Sequence, residues 1–386
     1  MQMLRSAVVA AVMMLAGVTA TSAATVRALA LPAGYTIAPE AAMPAVGIDG
    51  FGTVVAVARA RDGRRPPLAL RWTPDGTRTT FVPLPARRLS PHPIPDEIEH
   101  VAIGFSGETY VTTGVALPDM GGLPYEVQQW TAAGTAASWT SAACAVPSNE
   151  PDEHVAAVAE DGRVALTRDI TGPGSSGVLP DNVGALAPYA LIVDGPTCTV
   201  LGRATIAALR GRYAAGYRGY LAGHLAPDNL NPDVQRYVAV RWTGDALHEL
   251  GLGVALAVNA DGLVVGASGP PDHADWEHRT MAGAYVQPMP QALAWNAKGQ
   301  RIVIVGHALR SVAYDVADDG TVVGTLRERD GTYHAFRWRD GHGDLLDDLP
   351  HSPDWRFTSA YAITPDGTIA GVGTYRGVPA VFVWHA

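Results

Sequence analysis

A chain of 386 residues, 47% hydrophobic and only 17% charged, can bury a large core, and its formal charge of −9 sets 37 acids against 28 bases. Only one of those bases is a lysine (Lys298) and no basic stripe forms, which argues against nucleic acid or an anionic membrane surface as a partner. Glycine and proline are abundant and turn signals recur throughout, the pattern of an all-β protein.

The chain opens with one positive charge at Arg5, an apolar run over residues 7–18, and the small residues Thr21-Ser22-Ala23-Ala24. This pattern predicts a secretory signal peptide over residues 1–24, too short and wrongly flanked to span a membrane. No Cys follows the run and no later apolar stretch is long enough to span, so a soluble periplasmic or secreted product is expected. Its residues 25–386 are expected to form one domain. Two cysteines, Cys144 and Cys198, occupy matching places in the pattern described next. Export permits a disulfide between them, and two separate buried thiols are the alternative.

From residue 45 onward one short pattern recurs seven times. Repeat one reads AVGIDGFGTVVAVA (45–58) and then LALRW, ending at Trp72. Repeat two reads HVAIGFSGETYVTTG (100–114), with its next strand ending at Trp130. Repeat three reads HVAAVAEDGRVALTR (154–168), and Val193 stands where the tryptophan is expected. Repeat four is placed at YAAGYRGYLAG (213–223), ending at Trp242; repeat five at ALAVNADGLVVG (255–266), ending at Trp295. Repeats six (311–350) and seven (358–386) end their third strands at Trp338 and Trp384. The anchor glycines are Gly52, Gly107, Gly162, Gly219, Gly262, Gly320 and Gly367.

Each part has a physical reason. Small and apolar residues before the glycine suit a strand packed near a central axis, where bulk would clash. The glycine serves a tight hairpin that needs positive φ. The tryptophan buries a large apolar area between neighbouring sheets. A further turn and an outer strand follow. Four strands per unit and seven units predict a seven-bladed β-propeller rather than a linear solenoid or two β-sandwiches; six or eight blades would follow from a misread repeat. Repeat seven ends two residues past Trp384, without its outer strand, and TVRALALPAG (25–34) resembles the outer strands of the other units. Pairing that N-terminal strand with the last blade closes the ring and removes exposed edges.

In such a ring the hairpins between first and second strands share one face, and every long insertion falls on the other. The insertion face collects two similar acidic segments, one with Glu97, Glu99 and His100, the other with Asp152, Glu153 and His154. A longer loop adds Asp272, His273, Trp276 and His278. Carboxylates, imidazoles and a tryptophan on rigid strands make the best candidate ligand site. The same residues could hold a divalent cation, though no recognised metal spacing is present and no other cofactor is expected. Asp315, Asp318, Asp319, Asp347 and Asp348 read as turn and solvated-edge acids. No GxSxG, P-loop, GxGxxG or CxxC motif occurs, so no catalytic residue is assigned.

His334-Ala335-Phe336-Arg337-Trp338 followed by Asp344-Leu345-Leu346 resembles the bacterial extracellular HAF-repeat proteins, whose units run roughly A-x-x-I-N-x-x-G-x-V-V-G, then H-A-F-L-W, then D-L-G. The likeness extends over nearly all of residues 45–386, but only repeat six carries the literal His-Ala-Phe. It implies an exported propeller and carries over no catalytic residue. The expected function is ligand binding or scaffolding through the acidic and histidine-rich face, with an extracellular carbohydrate or protein as partner. The alternatives are a polymer-acting hydrolase or lyase using the same face, and a purely structural surface protein.

Overall fold

The computed structural model describes residues 25–39, 44–81, 97–114, 125–131, 135–139, 144, 150–171, 188–221, 235–269, 290–306, 308–350 and 352–385. Six of the seven repeats end their first strand in the same five-residue turn. In blade 6, for example, the Gly320 amide donates to Ala317 O at 3.0 Å and the Ala317 amide to Thr321 O at 2.8 Å. The anchor glycine sits at positive φ in each of the six, between +80° and +93°, a conformation that favours glycine. Repeat four differs. Its first strand is Thr205–Arg210, its turn glycine is Gly211, and Tyr213–Leu221 is the second strand, so Gly219 is a mid-strand residue paired with Tyr237. The sequence frame there was one strand late, because a short turn with Arg210 opposite Tyr213 replaces the five-residue form.

Seven antiparallel sheets result, each with four strands in radial order, and blade 1 has an added short strand. The fold is a seven-bladed β-propeller. Thr25–Ala30 forms the outer strand of blade 7, running antiparallel to Val378–His385 from Thr25 opposite His385 to Ala30 opposite Ala380. The expected N-terminal closure is therefore present. Arg78 Nη1 donates to Ala30 O at 3.0 Å and Arg27 to Pro74 O, tying the closing strand to blade 1.

The glycine of the VVG and IAG motifs has its own reason. First strands of blades 3 to 7 carry a bulge that pushes one residue toward the axis: Ala156, Ala207, Leu256, Tyr314 and Tyr361. In blades 4 to 7 the second strand answers with a glycine, and a Cβ on Gly266 would stand 1.9 Å from Val254 O. Gly266→Ala is accordingly expected to cost about 1–3 kcal/mol by overpacking, read as a lower urea midpoint; an unchanged midpoint would refute the close approach. The bulges also correct the expectation of small axial residues. Tyr314 and Tyr361 are fully buried with ring centroids 4.6 Å apart, and they join blade 1 and blade 5 side chains in one cluster across the axis.

The tryptophans act as wedges between blades. Trp130 packs on blade 1, Trp242 on blade 3, Trp295 on blade 4 and Trp384 on blade 6. At the joint of blades 2 and 3, Val193 is smaller than the wedge it replaces. There Trp139 packs into the cluster, edge-on to Tyr110 at 5.5 Å, and Cys144 and Cys198 form a disulfide with Cα atoms 5.1 Å apart. A covalent link stands beside the blade that lacks its tryptophan.

Candidate functional site

Inner strands run from the insertion face to the turn face, so the first residues of each lie at the insertion end of the axis. Glu99 comes from Glu97–Ile103 in blade 2 and His154 from Glu150–Val158 in blade 3. His154 Nδ1 and Glu99 Oε2 are 2.7 Å apart, a carboxylate–imidazole pair spanning the joint between the two blades. Both stay open to solvent, with side chains 23% and 39% exposed respectively. They line a cavity of about 470 Å³ together with His100, Arg59, Tyr217 and Tyr237. Thr167, Thr205 and a wall of Ile37, Val57, Val155 and Ile206 complete it. Tyr217 and Tyr237 meet edge-on at 5.5 Å on neighbouring strands of blade 4.

Backbone detail decides which acids reach this cavity. Successive strand residues point to opposite faces, so Glu153 and His154 cannot both enter. Glu153 points away, buried in an ion pair with Arg168, whose Nε lies 2.8 Å from Glu153 Oε1 and whose Nη1 donates to Cys144 O at 3.2 Å. That corrects its assignment as a ligand contact. In blade 2 the register shifts between Ile98 and His100, and this bulge lets Glu99 and His100 both line the cavity. Threonines hold the inner strands in place: Thr112 Oγ1 accepts from Val155 N at 3.0 Å and Thr167 Oγ1 from Ile206 N at 3.3 Å, each reaching into the next blade.

His100 sits deeper, touching both the cavity and the axial recess beyond it. Burial pushes its pKa down to about 4, outweighing the nearby Glu99 charge, so its ring is neutral at pH 7. In the recess, of about 200 Å³, Asp315 is raised to about 6 by burial, against amide hydrogen bonds from Ile363 and Val316. Asp315 is thus an axial group and not the solvated-edge acid expected of it. Arg210 spans the turn end, bridging Glu160 and Asp318 at 2.7 Å each.

Glu97 and Asp152 lie on the same two inner strands, but their side chains fall outside the described residues, as do Asp272, His273, Trp276 and His278 entirely. Among the described residues no group of three or more His, Cys, Asp or Glu could hold a metal ion. Arg59, Tyr217 and Tyr237 were missed from sequence. Arg59 and Tyr237 lie near strand ends and Tyr217 lies opposite Thr205, the first residue of its inner strand, positions legible only once the blade frame is right, and the late frame of repeat four hid Tyr217.

No protein-family model and no curated protein matches the chain. Among solved structures, it is similar to the GH74 xyloglucanase of Xanthomonas campestris, with 13% identity and a TM-score of 0.49 over 93% of this chain and 53% of that one. It is also similar to a chain of the mitotic checkpoint complex (12% identity, TM-score 0.46, over 100% and 98%). A third is YCF48 bound to a D1 peptide (11% identity, TM-score 0.46, over 94% and 95%). Likeness at these values carries no functional weight, and no helix among the described residues is long and apolar enough to cross a membrane.

Proposed function

We propose that this chain is an exported binding module whose ligand enters the insertion-face cavity and is held by Glu99, His154 and the Tyr217–Tyr237 pair. The observation that carries this reading is the cavity itself: a 470 Å³ concavity in which a carboxylate and an imidazole from different blades meet at 2.7 Å. Its volume falls in the range of small-ligand pockets, and its walls mix apolar surface with a few converging polar groups. The signal-like first 24 residues and the resemblance to extracellular HAF-repeat proteins support export.

A thermal-shift screen with glycans, peptides, divalent cations and EDTA tests it. A ligand at a hundredfold excess over Kd stabilises the native state by about 2.7 kcal/mol. Glu99→Gln is expected to abolish most of that shift with the unliganded midpoint nearly unchanged, and Tyr237→Ala to abolish it with a lower unliganded midpoint, since Tyr237 also packs on the core. A ligand whose shift survives both substitutions binds elsewhere and overturns the assignment. The Glu99–His154 pair also favours a second reading, acid–base chemistry on an extracellular polymer. Product release that stops in Glu99→Gln would identify that activity, and saturable binding without turnover would exclude it.

A further inference from the structure

The turn face departs from its own repeat at two adjacent places. Four of the six five-residue turns hold an aspartate at their third position: Asp161, Asp261, Asp319 and Asp366. Three of these are seen to accept a backbone amide two residues on, Asp161 from Arg163, Asp319 from Thr321 and Asp366 from Thr368. Blade 1 has Phe51 at that position, and blade 2 has Phe105 one place earlier. Neither ring is tucked away: Phe51 is 68% exposed and Phe105 38%, with centroids 6.4 Å apart.

Both rings are rigidly mounted. Gly50 N donates to Phe105 O at 3.0 Å, joining the two turns, and a Cβ on Gly50 would strike the Phe105 ring at 2.4 Å. The buried Asp49 takes over the missing turn bonds, accepting from Phe51 N at 2.9 Å and Thr53 N at 2.7 Å. Phe105 also forms part of the wall of the axial recess. An exposed aromatic shelf held this firmly has no role in the core.

The surroundings specify what would sit there. The neighbouring first turns, those of blades 7, 1, 2 and 3, hold the acids Asp366, Asp49, Glu108, Glu160 and Asp161 against one arginine, Arg163. Among the described residues Arg163 pairs with Asp161 and Arg210 with Glu160, whereas Asp366, beside blade 1, has no ion-pair partner; Glu108, in the Phe105 turn, is half-buried with its Oε2 shut off from solvent. We propose that Phe51 and Phe105 dock a cationic peptide segment of a partner protein, with an apolar side chain on the ring pair and Lys or Arg toward Asp366. This surface is separate from the insertion-face cavity and does not depend on its function.

A random 12-residue phage-displayed peptide library, selected on the chain comprising residues 25–386, tests the proposal. Enriched peptides are expected to combine Lys or Arg with Phe, Trp or Leu. A synthetic copy of the strongest should bind at least tenfold more weakly to Phe51→Asp/Phe105→Ala, and more weakly as salt rises. That double variant supplies residues that other turns of the same ring already carry, and it adds a negative charge, so weaker binding reports the lost rings. Circular dichroism and an unchanged thermal midpoint check its fold. Asp366→Asn should weaken binding several-fold. The proposal is overturned if no peptide is enriched, if the enriched peptides lack basic residues, or if they bind the double variant equally. It is overturned too if sedimentation shows a dimer that the double variant dissolves, since the rings would then be seated on a second copy.

Discussion

Removing Thr25–Ala30 is expected to destabilise the whole propeller cooperatively rather than fray one edge. The strand contributes six register pairs to blade 7 and buries Leu29 to 2% exposure. Ladder hydrogen bonds contribute about 1 kcal/mol net each and a buried leucine about 2 kcal/mol. The loss is therefore several kcal/mol, against a total stability on the order of 5–15 kcal/mol for a folded domain. Its reach is what matters. Leu29 belongs to the cluster that also contains Trp72 of blade 1, Leu256 of blade 5 and Tyr314 of blade 6, so the closing strand supports the ring joint and the axial packing together. A chain lacking these residues should show a thermal midpoint lower by about 10 °C or more and bind a hydrophobic dye. The synthetic peptide TVRALALPAG, added in trans, should restore part of the loss. An unchanged midpoint would mean that blade 7 is stable with three strands.

That strand was legible in the sequence because its pattern matches the outer strands of the other repeats, and an unfinished last repeat called for it. Blade number and most turns were legible for the same reason: a five-residue turn needs glycine at one position, and six repeats supply it. Repeat four escaped because Gly211 sits in a shorter turn while Gly216, Gly219 and Gly223 offer a false match downstream. The candidate site was half legible. Acid and histidine at an inner-strand start pointed to the end of the axis where the larger cavity lies, but facing is decided by single-residue bulges that leave no mark in composition. Glu99 lines the cavity because the register slips beside it. Glu153, in a near-identical local sequence, is turned toward Arg168. The two-residue period of a strand makes such a slip enough to exchange a ligand contact for a structural one.

Glu153→Gln is the substitution that separates those two roles, and it is expected to cost about 3–5 kcal/mol, the usual consequence of leaving one member of a buried ion pair uncompensated. Both side chains are 7% exposed, so solvent cannot take over the lost charge interaction. Arg168 also donates to Cys144 O, which places the pair beside the disulfide at the joint where Val193 stands in for a tryptophan. Loss of the carboxylate therefore weakens a joint that already lacks the common wedge. Replacing both partners with apolar residues of similar shape, as in Glu153→Leu/Arg168→Met, should recover most of the loss, because burying two paired charges is itself costly. Urea unfolding of the single and double variants measures this, with Glu99→Gln as the contrast: its half-exposed carboxylate should contribute less than about 1 kcal/mol to stability. The expected result is a crossed pattern, in which Glu153 changes the midpoint and spares ligand binding while Glu99 does the reverse. If Glu153→Gln instead kept its midpoint and lost a ligand, the carboxylate would belong to the cavity and the ion pair would not be what orients it.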